Sequence, residues 1–226
     1  VGIDPADDSF LEESQKKANF VVQDFFSAEA YRSTPYGRIK PKIITTIAMF
    51  YDLDDPWPFV QDVKEILDDD GIWVMQLSYT PLMLKQLAFD NICHEHICYY
   101  SLSSLKYLMD RAGFDIVDCS LNDTNGGSFR VYLMKKDADK TKFRNQQKRD
   151  VANFRVQSIL AYEESLNLND PKVYTDFYNE ICELRQKTVD FITQEKKAGK
   201  TIWGYGASTK GNTLVQWYGL DNSHID

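Results

Sequence analysis

The sequence predicts an α/β fold in which a mostly parallel sheet is covered by crossover helices and followed by a helical segment. Strand-like apolar runs alternate with helical patterns over roughly the first 135 residues. The last two runs are joined only by a short turn at residues 122–127, so we expect them to pair antiparallel. A chain of 226 residues is long enough to bury one substantial core and to begin another.

Six apolar runs and two capped helices make up the predicted sheet unit, residues 1–137. Asp55 and Pro56 supply an acidic cap and a first-turn proline for one helix, and Gly71 lies just past its end. Ser101 caps a second helix, which ends at Gly113. The predicted strands are residues 1–3, 20–26, 42–51, 71–79, 114–120 and 128–135.

Two further segments follow the sheet unit. Residues 138–200 are helical and highly charged, with apolar side chains three and four positions apart, which predicts a connector that packs against a neighbouring unit. Residues 201–226 have the pattern of a strand, a glycine turn and a helix, so we expect a second α/β unit to start there. Because the chain opens directly on a buried strand, we expect it to be an internal fragment.

Composition excludes several classes of function. The net charge of −8 is spread along the chain, which argues against a nucleic-acid surface. The sequence has neither a long uncharged apolar run nor a signal peptide, so we expect no membrane span and a cytoplasmic location. The four cysteines form no CxxC pair, which leaves zinc ribbons and redox motifs without support.

Acidic and aromatic residues follow the first two strands, where doubly wound sheets bind nucleotides. Asp4 is placed to accept hydrogen bonds from both hydroxyls of a ribose, although an Asp-Pro turn after a strand is also common. Asp24 is placed to accept from an adenine amino group while Phe25 stacks on the base, and a core position for Phe25 is an equal alternative.

Residues 89–101 form the densest polar and aromatic cluster, and they include His94, Glu95 and His96. A metal site would need a third ligand, which the spacing does not supply, so we predict no metal here. A structural role for the histidines in the loop is a second alternative. The catalytic interpretation is a general base, because imidazole titrates near neutrality. Tyr79 and either Tyr99 or Tyr100 are candidate donors to an enolate oxygen, with packing as the alternative for each.

Two glycine-containing turns carry the remaining candidates. Asn125 lies in the hairpin turn and Arg130 follows in the strand, where an arginine can clamp a phosphate with two hydrogen bonds. Tyr205 and Lys210 belong to a strand, glycine turn and helix start that would present backbone N–H groups and an ammonium to an anion. The glycine spacing matches neither a Walker loop nor a dinucleotide fingerprint.

Taken together, these pieces resemble the sugar C-methyltransferase family. Its members join a zinc-binding N-terminal region, a class I methyltransferase domain with a Rossmann-like sheet, and a C-terminal α/β domain. Four stretches carry the likeness, in order along nearly the whole chain: VGIDP, HEH followed by YYS, NGGSFRVY and GYGASTKGN.

The resemblance implies that S-adenosylmethionine is the cofactor, with its ribose on Asp4, and that a nucleotide-linked keto sugar is the substrate. It implies that His96 removes the proton from the carbon to be methylated, with Glu95 beside it. Cys93 stands where relatives can carry a tyrosine in the sugar pocket. The zinc site and the glycine-rich cofactor loop would precede Val1, so we expect the isolated chain to bind cofactor poorly and to be inactive.

Two other functions stay open at the level of the sequence. An O- or N-methyltransferase acting on a small molecule would use His96 to deprotonate a hydroxyl or an amine. A non-catalytic nucleotide-sugar-binding protein would keep the same fold without chemistry.

Overall fold

The computed structural model describes residues 1–206 and 208–226. Its strands are β1 (Gly2–Ile3), β2 (Val21–Val22), β3 (Ile43–Ile47), β4 (Ile72–Ser78), β5 (Phe114–Asn122) and β6 (Ser128–Lys135). Its helices are α1 (Asp8–Lys17), α2 (Ala28–Arg32), α3 (Pro56–Ile66), α4 (Thr80–Lys85), α5 (Leu102–Ala112), α6 (Gln146–Ser165), α7 (Pro171–Lys197) and α8 (Thr209–Tyr218). Single helical turns lie at Phe50–Asp52, Phe89–Asn91, Thr124–Gly126 and Lys140–Lys142.

The six strands form two sheets. β1 pairs with β2 in parallel, and the larger sheet has the order β3-β4-β6-β5. β3 and β4 are parallel, whereas β6 runs antiparallel to both of its neighbours, β4 and β5. The predicted α/β class and the antiparallel hairpin are therefore confirmed. The hairpin is also terminal as predicted, because β5 and β6 close one end of the larger sheet, with β6 beside β4 and β5 at the edge.

A gap separates the two sheets, which the sequence did not predict. A cavity of about 220 Å³ lies between β1 and β3, and Ile3 on one side faces Ile43 and Ile44 on the other. Across that space the backbones of β1 and β3 do not pair, so the parallel strands divide into two sets. Ile43 and Ile47 remain 64% and 51% exposed on β3.

Helices α3 and α5 cover one face of the larger sheet. Trp73, Met75 and Leu77 alternate along β4 and are almost fully buried against them. Burying a side chain of this size stabilises the fold by about 2 kcal/mol. Both helices begin as predicted: Asp55 accepts a hydrogen bond from the N–H of Trp57, and Ser101 forms a capping box with Ser104. These caps fix where α3 and α5 leave the sheet.

The segment predicted as a connector forms the long helices α6 and α7. α6 packs along β5, where buried Asp118 pairs with Arg144 and Arg155. Residues 201–206, predicted as a strand running into a turn, form no strand with the described part of the chain, and Ile202 pairs instead with Asp226. Within the described residues, no helix is long and apolar enough to cross a membrane.

Candidate functional site

The carboxyl ends of the parallel strands meet at one edge of the molecule. Phe26 follows β2, and its ring centroid lies 4.7 Å from that of Phe59 in the first turns of α3. Because α3 follows β3, this contact places the ends of β2 and β3 at the same edge. The loop of residues 89–101 returns to the end of β4, where the Tyr100 carbonyl oxygen accepts from the N–H of Thr80, and β4 runs parallel to β3. Side chains from all of these strands therefore converge.

Asp4, Asp24 and Phe25 lie exposed at the ends of β1 and β2. The Asp4 carboxylate accepts one hydrogen bond, from the N–H of Ala6, and the Asp24 carboxylate accepts one from its own neighbour, Phe25. The Phe25 side chain is 75% exposed, so it does not serve the core. Two solvent-facing carboxylates beside an uncovered ring fit the ribose and adenine of a nucleoside.

His96 is held against the end of β3. Its imidazole packs on the ring of Tyr51, with ring centroids 4.4 Å apart. The Tyr51 carbonyl oxygen accepts hydrogen bonds from the N–H groups of Ile97 and Cys98, at 3.0 and 2.9 Å. The His96 side chain remains half-buried and is not sealed in the core.

Two carboxylates accompany His96, from Asp52 and Glu95. Partial burial raises the pKa of Asp52, and Glu95 adds to this, whereas His96 opposes it. Glu95 is exposed, and its Oε1 accepts a hydrogen bond of 3.1 Å from the hydroxyl of Thr209 on α8. The site therefore brings a half-buried imidazole close to carboxylates, and imidazole is the side chain most often used as a general base.

Helix α8 closes over the same loop. Its Lys210 Nζ donates a hydrogen bond of 2.7 Å to the Oδ1 of Asn91, a side chain with 2% exposure. A cavity of about 540 Å³ lies between the two segments and is lined by Cys93 and His94 on one side and by Asn212 and Trp217 on the other. The motifs HEH and GYGASTKGN, distant in sequence, thus come into contact; only Ala207 of the second lies outside the described residues.

The hairpin turn also reaches this loop. Asn125 adopts a left-handed conformation with φ of 54°, and the Cα of Gly126 approaches Ala88 so closely that an added Cβ would lie 3.4 Å from the Ala88 methyl. The Arg130 guanidinium donates two hydrogen bonds, of 3.0 and 2.7 Å, to the Oε1 of Gln76, from β6 to β4. Arg130 is exposed, so the predicted phosphate contact would have to compete with Gln76.

Tyr79 does not occupy the predicted position. Its side chain is 0% exposed, and its hydroxyl donates a hydrogen bond of 2.8 Å to Glu163 on α6. Burial, followed by the Glu163 carboxylate, raises its pKa far above the usual range. The alternation along β4 explains this: Tyr79 continues the buried row of Trp73, Met75 and Leu77. The predicted catalytic role is therefore replaced by a structural one.

Tyr100 is more buried, and Tyr205 more exposed, than the predicted contact with substrate requires. Tyr100 is buried in the core against Phe50, and burial raises its pKa, so it packs rather than contacting a substrate. Tyr205 is fully exposed and lines none of the cavities described above.

The sequence patterns do not identify three further residues of the site: Tyr51, Asn91 and Thr209. Tyr51 was assigned to the end of a strand, but the chain turns at Phe50–Asp52 and aims the ring at His96. Asn91 belongs to the cluster of residues 89–101, so its position in that segment was the available signal. Thr209 stands where a dinucleotide fingerprint would have its third glycine, and its hydroxyl is what reaches Glu95.

Comparisons with known proteins cover the two halves of the chain separately. Residues 1–118 match the family model described as "Methyltransferase domain", and residues 123–226 match "C-methyltransferase C-terminal domain". C-methyltransferase NovU from Streptomyces niveus is 28% identical over 225 residues. That alignment covers 100% of this chain and 51% of NovU, so the chain spans about half the length of this relative.

Solved structures of low sequence identity also align. A SAM-dependent methyltransferase from Thermotoga maritima is 16% identical, with a TM-score of 0.45 over 60% of this chain and 73% of its own. The YcgJ protein from Bacillus subtilis is 14% identical, with a TM-score of 0.42 over 60% and 81%. The predicted cofactor, S-adenosylmethionine, agrees with the family matches. Since one model matches more than half of its residues, the chain belongs to the methyltransferase-domain family.

Proposed function

We propose that this chain is the catalytic part of a C-methyltransferase that acts on a nucleotide-linked keto sugar. One observation carries the proposal. The half-buried imidazole of His96, flanked by Glu95 and Asp52, lies at the edge where the exposed Asp4 and Asp24 carboxylates end their strands. The match of residues 123–226 to a C-methyltransferase C-terminal domain and the similarity to NovU favour carbon as the acceptor.

The cofactor end of the site would be built by Asp4, Asp24 and Phe25. Asp4 would accept hydrogen bonds from the ribose hydroxyls, and Asp24 would accept from the adenine amino group while the exposed Phe25 ring stacks on the base. When bound, S-adenosylmethionine supplies a methyl group on a sulfonium. These residues would hold the nucleoside part of the cofactor and would not take part in the transfer.

The substrate end would be built by the loop and α8. His96 would take the proton from the carbon next to the ketone, and the electron pair left on that carbon would form the new bond to the methyl carbon as the carbon–sulfur bond breaks. Glu95 would hold the imidazole or the sugar hydroxyls, and Cys93 would line the sugar pocket beside the cavity. Lys210, on α8, would bind the phosphates by exchanging Asn91 for them.

The replacement His96→Asn tests the proposal in the full-length protein. We expect methyl transfer to fall by about a hundredfold or more, because general acid–base catalysis contributes that much, while cofactor affinity stays unchanged. His224→Asn is the matched control, since this imidazole pairs with Asp221 near the chain end and lines none of the cavities described above. Full turnover in His96→Asn would remove His96 from the role of base.

Product analysis separates carbon methylation from its rivals. A methyl group on carbon survives acid hydrolysis of the sugar, whereas one on oxygen or nitrogen gives a different NMR spectrum. Deuterium uptake from solvent at the sugar carbon, abolished in His96→Asn, would report proton abstraction directly. Its absence in the intact protein would favour a binding protein without chemistry.

A further inference from the structure

Tyr51 contacts the loop that carries His96 through both its backbone and its side chain. Its carbonyl oxygen accepts from the N–H groups of Ile97 and Cys98, the two residues that follow His96. Its ring packs on the imidazole itself, with centroids 4.4 Å apart and planes inclined by 55°. The Tyr51 backbone therefore holds the loop in place, and its side chain, in a residue only 6% exposed, limits how the imidazole can rotate.

We propose that Tyr51 is the positioning residue for His96, an inference that rests on the proposed role of His96 as base. A base must reach its proton within hydrogen-bonding distance, and a misplacement of about 1 Å can cost roughly a hundredfold in rate. An imidazole at the end of a flexible loop would sample several rotamers. The Tyr51 ring, fixed in a buried turn, removes that freedom before substrate arrives.

The core holds Tyr51 firmly enough for this task. It follows Phe50, which is fully buried and packs against Phe59, Trp73 and Tyr100. Burial raises the pKa of the Tyr51 hydroxyl, so the phenol stays neutral across the physiological range. Because the contact with His96 is made by the aromatic ring, the ring is the essential part and the hydroxyl is not.

Two carboxylates lie near the imidazole, but Tyr51 sets its direction. Asp52 interacts electrostatically with both His96 and Glu95, and the Cys93 thiol lies close to Tyr51. Neither carboxylate forms a hydrogen bond with the His96 ring among the described residues, so neither fixes the orientation of the imidazole. Packing against Tyr51 is the contact that does.

Two substitutions and a matched control test the inference in the full-length protein. We expect Tyr51→Leu to lower kcat by about ten- to a hundredfold with little change in KM, because orientation is lost but binding groups remain. Tyr51→Phe keeps the ring and should restore most of kcat. Phe50→Leu removes a neighbouring buried ring that does not touch His96, so it should lower stability without the drop in kcat.

The NMR signal of the His96 ring gives a readout independent of turnover. The Tyr51 ring current should shift the imidazole protons, and that shift should disappear in Tyr51→Leu and persist in Tyr51→Phe and Phe50→Leu. An equal loss of kcat in Tyr51→Leu and Phe50→Leu, or an unchanged His96 signal in Tyr51→Leu, would overturn the inference. Failure of the proposed function gives a different result. His96→Asn would then retain activity, while the His96 signal of the unmodified protein would still show the ring-current shift from Tyr51.

Discussion

Glu95 and Glu163 are two carboxylates near the same loop, and they differ in almost every physical respect. Glu163 is 3% exposed and accepts hydrogen bonds from the Tyr79 hydroxyl and from the N–H groups of Leu102 and Ser103. Glu95 is exposed and accepts one hydrogen bond, from Thr209. A saturated, buried carboxylate stabilises the fold, whereas a carboxylate with spare acceptor capacity at a cavity rim remains available to a ligand.

The largest expected effect on stability comes from Glu163→Ala. Removing the carboxylate leaves the two N–H groups at the start of α5 and the Tyr79 hydroxyl without their partner, which should lower the free energy of unfolding by about 4 kcal/mol. Urea denaturation measures it. Glu163→Gln keeps an acceptor oxygen and should lose less, and Glu95→Ala should change stability by less than about 0.5 kcal/mol. Equal losses of unfolding free energy in Glu163→Ala and Glu95→Ala would contradict the distinction between the two carboxylates.

Tyr79→Phe sharpens the comparison at an intermediate size. The hydroxyl gives one of three hydrogen bonds to Glu163, so its removal should cost about 1 kcal/mol of unfolding free energy and leave kcat unchanged. Parallel urea denaturation and turnover assays of the full-length protein decide this. A tenfold fall in kcat at unchanged stability would return Tyr79 to the catalytic role predicted from the sequence.

The smallest expected effect is at Asp52. Its pKa is raised in the folded state, mainly by burial, so the folded protein holds this proton more tightly than the unfolded chain does. The stabilisation this provides is complete below pH 3.8 and is lost as the pH rises through the folded-state pKa. Asp52→Asn should therefore raise the urea midpoint slightly at pH 7 and not at pH 3. Asp54→Asn, which removes another exposed charge two positions away, is the control. An equal rise of the urea midpoint in Asp54→Asn would attribute the effect to the change in net charge.

The sequence predicts the sheet and its caps well and the site only partly, for physical reasons. Alternating apolar residues and capping side chains are local signals, so β4, α3 and α5 follow from them. The insertion of β6 beside β4 depends on long-range pairing, which no local pattern encodes. Tyr79 was misassigned because a tyrosine at a strand end looks the same in sequence whether its hydroxyl meets solvent or a buried carboxylate 84 positions away.

Contacts within the site likewise divide into those that a local sequence pattern indicates and those that depend on distant parts of the chain. The cluster of residues 89–101 is conspicuous in composition, and His96 and Glu95 do lie at the expected edge of the sheet. Its partners Tyr51 and Thr209 come from distant parts of the chain and carry no motif of their own. The sequence predicts that Lys210 is open to an anion, yet its ammonium donates to Asn91. A lysine side chain is long and flexible, so it can reach a buried acceptor that the sequence pattern does not indicate.

The gap between β1 and β3 has a consequence for handling the chain in solution. The facing edges of these strands pair with no other strand in the part of the chain that the structure describes, and Ile43 and Ile47 stand exposed beside the opening. Bare strand edges flanked by apolar side chains recruit strands from other molecules. Concentrated samples of this polypeptide should consequently self-associate through intermolecular β-structure, and a lysine introduced at position 47 should keep them dispersed.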